Sequence, residues 1–108
     1  MEDFRIIYRI LKAIVEYEKA EEPSLLYFEP ERLKTTAENR DRLILKLVDA
    51  GYIKGIYTID DIDGQTKPVI IWNRSTPTIT VEGMQYLEEN SMMRKVANAL
   101  KGIGETLH

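Results

Sequence analysis

The sequence predicts an α+β domain of the winged helix-turn-helix kind, with a three-helix core, a β-hairpin wing and C-terminal helices. Three observations predict it. A short proline-led helix runs directly into a well-capped one. Two β-branched stretches follow, separated by the turn pair Asp63-Gly64. A further capped helix, opening after Thr80, closes the order.

Each element has its own reason. In "MEDFRIIYRILKAIVEYEKAEE", Phe4, Ile7, Leu11, Ile14 and Val15 recur at helical spacing and predict one buried face. Ile6, Ile10, Ala13 and Tyr17 fill its flank, while Arg5, Arg9, Lys12 and Glu16 form the opposite polar stripe. An apolar arc over more than half the girth calls for more than one neighbour. Glu21 and Glu22 before Pro23 end the helix, since the residue before proline resists helical geometry. In "SLLYFEPERLK", Pro30 suits a first helical position and Glu31 suits the positive end of the helix dipole.

"TTAENRDRLILKLVDAG" is the clearest helix. Thr35 and Glu38 have capping-box spacing, Leu43, Ile44, Leu47 and Val48 make the buried stripe, and Gly51 supplies a left-handed cap. "YIKGIYTI" and "PVIIWN" read as paired strands, with Pro68 tolerable at the start of the second. Thr80 caps a helix from Val81, with Glu82 near its positive end. Gly83 lets that first turn approach a neighbour closely, and Met84, Tyr86 and Leu87 face inward. Residues 1–91 are expected to form the winged-helix domain. Residues 92–108 form a helical tail that packs on the first helix or on a dimer partner.

Composition sets the outer limits. At 108 residues, 44% apolar and 31% charged, the chain suits one globular domain. No apolar run approaches the ~20 residues that span a bilayer. The acidic, helical N-terminus is unlike a signal peptide, so a cytoplasmic location is expected. The absence of cysteine excludes disulfides and thiolate metal sites. Net charge is −3, divided as −3 over residues 1–30, +2 over 31–55 and −2 over 56–108. Positive charge thus concentrates weakly in the middle third.

Two segments carry a family resemblance. "LILKLVDAGYIKGI" looks like the end of a recognition helix entering the first wing strand. "ITVEGMQYLEENS" is similar to the Ile-Thr-x-x-Gly-x-x-Tyr-Leu element after the wing of MarR- and PadR-type regulators. With the N-terminal helix added, nearly the whole chain resembles the YjcQ family of small winged-helix proteins of Firmicutes, often encoded in phages or prophages. The resemblance implies the fold and no activity.

The candidate functional residues lie on the capped helix and beside it. Rotation at 100° per residue turns Glu38, Arg42, Leu45, Lys46 and Asp49 away from the core, with Asn39 on the flank. Arg40 falls nearer the core, where its guanidinium pairs with a carboxylate or snorkels. Arg grips guanine and Asn grips adenine, so Arg42 and Asn39 are the candidate base readers, and Lys34, Lys46 and Lys54 the phosphate contacts. Against DNA stand Glu38 and Asp49 on the same face, and the acids Asp60, Asp61 and Asp63 in a wing with only Lys67. Ordinary turn chemistry is the plain reading of those aspartates, and a solvated helix face is the alternative to DNA contact for Arg42 and Lys46.

An exposed Leu45, joined by Met93, Val96 and Leu100 of the tail, would instead make a protein interface or homodimer contact. "DIDG" resembles part of a calcium loop, but Trp72 stands where the closing Glu belongs, so no metal is predicted. The single histidine is His108, and no Gly-rich phosphate loop occurs. No catalytic residue, cofactor or small-molecule ligand is therefore expected. DNA and protein partners are the two functional readings.

Overall fold

In the computed structural model, which describes residues 2–60 and 68–90, the chain opens with helix α1 (Glu2–Lys19). A 3-10 turn (Leu25–Phe28) leads into the short helix α2 (Pro30–Leu33) and then into α3 (Ala37–Asp49). Four two-residue strands follow: β1 (Ile53–Lys54), β2 (Thr58–Ile59), β3 (Val69–Ile70) and β4 (Thr78–Ile79). A helix over residues 81–90, α4, ends the described chain. The result is α+β, with helices and two small antiparallel sheets, an arrangement compatible with a winged helix.

The core lies where α1, the first 3-10 turn, α3 and the ribbon meet. Ile6, Ile10, Leu11, Ala13 and Ile14 of α1 are buried there with Phe28, Leu33, Leu43, Ile44, Leu47, Ile53, Ile70 and Ile79. The buried face of α1 is therefore turned by roughly a quarter of the helix girth from the expected one. Phe4 is 55% exposed, while Ile7 and Val15 are half-buried. Periodicity failed to fix the face because α1 is apolar over so wide an arc. The packing partners chose among orientations that the pattern left nearly equivalent.

Caps follow local chemistry closely, with one displacement. The N-cap of α3 is Thr36, not Thr35: its Oγ1 accepts from the Asn39 amide at 3.1 Å. Thr35 is freed for a different task, since its hydroxyl accepts from the Asn39 side chain at 3.0 Å. At the far end, Gly51 takes φ +82 and its amide donates to the Val48 carbonyl, as a left-handed cap requires. Thr80 caps α4, accepting from the Gly83 amide at 3.1 Å. Its hydroxyl also donates to the Gly51 carbonyl at 2.6 Å, which ties the end of α3 to the start of α4.

The strands build one interrupted ribbon. Ile53 pairs with Ile79 and Lys54 with Thr78 near its base; Thr58 pairs with Ile70 and Ile59 with Val69 farther out. Between these pairs the outgoing strand has three residues and the returning one seven. The surplus folds into a second 3-10 turn, Trp72–Arg74. Ser75, which is buried, repairs the break. Its Oγ accepts from the Tyr57 amide at 2.9 Å and donates to the Ile71 carbonyl at 2.8 Å.

That same turn delivers Trp72 to the core edge, stacked on Phe28 at 5.6 Å between ring centroids. Met84, expected to face inward, is exposed. Tyr86 and Leu87 do pack against the core, and Tyr86 lies 5.4 Å from Tyr52. Among the described residues no helix is long and apolar enough to cross a membrane.

Candidate functional site

The outer side of α3 is organised by hydrogen bonds between its own side chains. Asn39 donates through Nδ2 to Thr35, and its Oδ1 accepts from Arg42 Nε at 3.0 Å and Nη2 at 2.6 Å. Arg42 Nη2 also donates to Asp3 Oδ2 at 2.9 Å. The two partners of this ion pair are 40% and 46% exposed, so it sits at the surface. The Arg42 guanidinium holds the Asp3 carboxyl below its usual range; Asn39 and the charge of Lys46 act in the same direction.

Three of the five sequence-predicted DNA contacts thus bear on one carboxylate, supplied by the first turn of α1. Arg42 donates to it, Asn39 holds the Arg42 guanidinium, and Lys46 acts on it through its charge alone. Lys46 is exposed one turn beyond Arg42. Lys34 and Lys54 are exposed elsewhere. Lys34 adopts the left-handed φ of +59 at the end of α2, and Lys54 lies on β1 opposite Thr78.

Leu45 departs from its expected position. It is half-buried and packed against the core, so it is not a free apolar contact on the α3 surface. Helical rotation alone gives the angle of a side chain on α3, and it does not show how far a long side chain at that angle reaches back onto the core. Met93, Val96 and Leu100, like Asp61, Asp63 and Lys67, lie outside the described residues. Asp60 is described and exposed.

Arg40 behaves as its angular position predicts. Its Nη1 donates to the Phe28 carbonyl at 2.9 Å, its Nε to Asp41 at 2.9 Å, and its guanidinium lies 4.7 Å from the Trp72 ring centroid. Spent on these contacts and largely buried, it supports the fold and offers no contact to a partner.

Sequence reasoning missed the outer face of the ribbon. Ile59 and Val69 are directly opposed, and side chains alternate between faces along a strand. With Ile70 turned to the core, Tyr57, Ile59 and Val69 turn outward together and are 45%, 39% and 49% exposed. Arg74 adds a cation 5.8 Å from the Tyr57 ring. The available signal was the alternation in "YTI" and "VII" combined with the cross-strand register, and the register is not readable without coordinates.

The chain was compared with known proteins in three ways. Neither the curated proteins nor the solved structures gave a match. A protein-family model described as YjcQ protein matches residues 8–106, nearly the whole chain. On that match the chain belongs to the YjcQ protein family.

Proposed function

We propose that this chain is a winged-helix DNA-binding protein, acting as a transcriptional regulator of a phage or prophage. One observation carries the reading: Arg42, oriented by Asn39, donates to an anionic oxygen of Asp3 beside α3, and the charge of Lys46 acts on the same carboxylate. A carboxylate and a phosphate make the same demands on such a cluster, namely charge-assisted donors in a fixed geometry. In the free protein Asp3 occupies the position. On DNA a phosphate would take its place, or Arg42 would turn from Asp3 toward a guanine edge. Lys34 and Lys54, both exposed, supply further phosphate contacts.

Binding of the full chain to mixed double-stranded fragments, titrated with salt, tests this. Affinity is expected at low ionic strength, falling steeply as salt rises. Lys46→Ala should reduce the slope of log K against log salt by about one phosphate contact. An absence of binding at the lowest salt overturns the reading.

A second reading has its own observation. The exposed trio Tyr57, Ile59 and Val69 on the ribbon is an apolar surface of the sort that docks protein, which would make the chain a winged-helix adaptor. In that case Ile59→Lys abolishes self-association or partner capture in light scattering and leaves DNA affinity unmoved.

A further inference from the structure

On the other side of α1 lies a cleft of about 270 Å³, lined by Tyr8, Arg9, Lys12 and Glu16 of α1 with Tyr27, Arg32 and the core residues Ala13 and Leu33. Residues 8, 9, 12 and 16 fall on the flank of the helix away from Asp3, at 100° per residue, so the cleft is separate from the α3 surface. The polar stripe read from the sequence, which the proposed function does not use, is one wall of it. The opposite wall comes from the turn before α2 and from α2 itself.

Its chemistry is uneven. Three cations face one carboxylate, in a chain whose net charge is −3. None of Arg9, Lys12 and Arg32 has a carboxylate partner among the described residues. Two of them lean on aromatic rings, Lys12 Nζ 5.9 Å from the centroid of Tyr8 and the Arg32 guanidinium 5.0 Å from that of Tyr27. Arg9 is anchored, donating through Nη1 to the Leu33 carbonyl at 3.4 Å, which fixes its guanidinium at the cleft wall. Unpaired cations gathered in a concavity attract an anion, and two tyrosine faces beside them favour a flat apolar body. The volume is slightly below the usual lower limit of small-molecule pockets, roughly 300 Å³, which restricts the occupant to a small one.

We propose that this cleft binds a small aromatic anion, its ring lying against Tyr8 and Tyr27 and its phosphate or carboxylate group held by Arg9, Lys12 and Arg32. The site is independent of the DNA reading and stands or falls separately from it.

Phenyl phosphate, benzoate, inorganic phosphate and phenol, each titrated into the full chain and followed by amide chemical shifts, test the proposal. Phenyl phosphate or benzoate should perturb the amides of residues 8–16 and 27–33 and bind at least tenfold tighter than phenol or inorganic phosphate. The tighter of the two anions identifies the headgroup. The double variant Lys12→Ala/Arg32→Ala alters only exposed side chains and should lose tenfold or more, while Lys19→Ala, which removes a cation from the same helix outside the cleft, should lose nothing. The proposal is overturned if the shifts fall elsewhere, if no ligand binds at millimolar concentration, or if phenol or inorganic phosphate binds as well as the aromatic anions. Equal losses in the double variant and in Lys19→Ala would also overturn it, because they would show only a general charge effect.

Discussion

At the scale of single residues, Arg40 shows how a charged side chain becomes part of the core. Its guanidinium stacks on Trp72, and the same group donates to the Phe28 carbonyl and to Asp41. Phe28 in turn stacks on Trp72, so one cation closes a ring of contacts among a helix, a turn and the ribbon. Truncation removes the stacking and leaves a carbonyl without its donor, so Arg40→Ala should destabilise the protein by about 2–3 kcal/mol in urea unfolding. Arg40→Lys should recover only part of that. An ammonium keeps the charge but has neither the planar face that stacks nor the fork that serves two acceptors at once. Full recovery by lysine would show that charge alone matters there.

At the scale of elements, the junctions hold more of the fold than the strands do, for each strand is two residues long. Gly83 sits in the first turn of α4, where a Cβ would come 2.2 Å from the Tyr52 carbonyl oxygen and 2.7 Å from Ile79 Cγ1. Alanine ordinarily improves a helix by about 1 kcal/mol over glycine. At this position the clash with fixed backbone outweighs that gain, and Gly83→Ala should cost a net 1–3 kcal/mol, read as a lowered thermal midpoint. Ser75→Ala removes the acceptor of the Tyr57 amide where the ribbon ladder is broken, and a similar loss of about 1–3 kcal/mol is expected. Hydrogen exchange should show its effect first at Tyr57 and Ile71.

These junctions also mark how much was legible in the sequence. Gly51, Thr80 and Gly83 were readable because caps and close approaches impose local demands that few residue types meet. The threonine pair was ambiguous by one position, since either hydroxyl can reach a third-residue amide. The role of Trp72 was invisible, because it depends on a four-residue surplus in the returning strand that only the register reveals. The candidate site divides in the same way. The residue types on α3 were readable, but the bond from Arg42 to Asp3 was not, because it joins positions 39 residues apart.

At the scale of the whole molecule, the start of α1 and the outer side of α3 hold one another's charge. Asp3 belongs to the acidic first thirty residues, Arg42 and Lys46 to the weakly basic middle third, and the fold brings the two regions into contact. Asp3 has a lowered pKa, caused first by its hydrogen bond to Arg42. A carboxyl lowered on folding contributes stability at pH values above its unfolded pKa, about 3.9, and loses that contribution as pH falls through the lower folded value. The pair should therefore be intact at neutral pH and dissolve only in acid below about pH 4. In an NMR titration, Arg42→Ala should return the Asp3 carboxyl to the ordinary range. If the carboxylate occupies the place of a phosphate, removing its charge should favour DNA. Asp3→Asn is then expected to raise DNA affinity severalfold at low salt, and Arg42→Ala to lower it by tenfold or more, the worth of one charged contact of about 1–3 kcal/mol. In the double variant, Asp3→Asn should confer almost none of its benefit, because the residue it releases is gone. Independent, additive effects of the two substitutions would separate the ion pair from DNA binding and leave it as a surface contact between two helices.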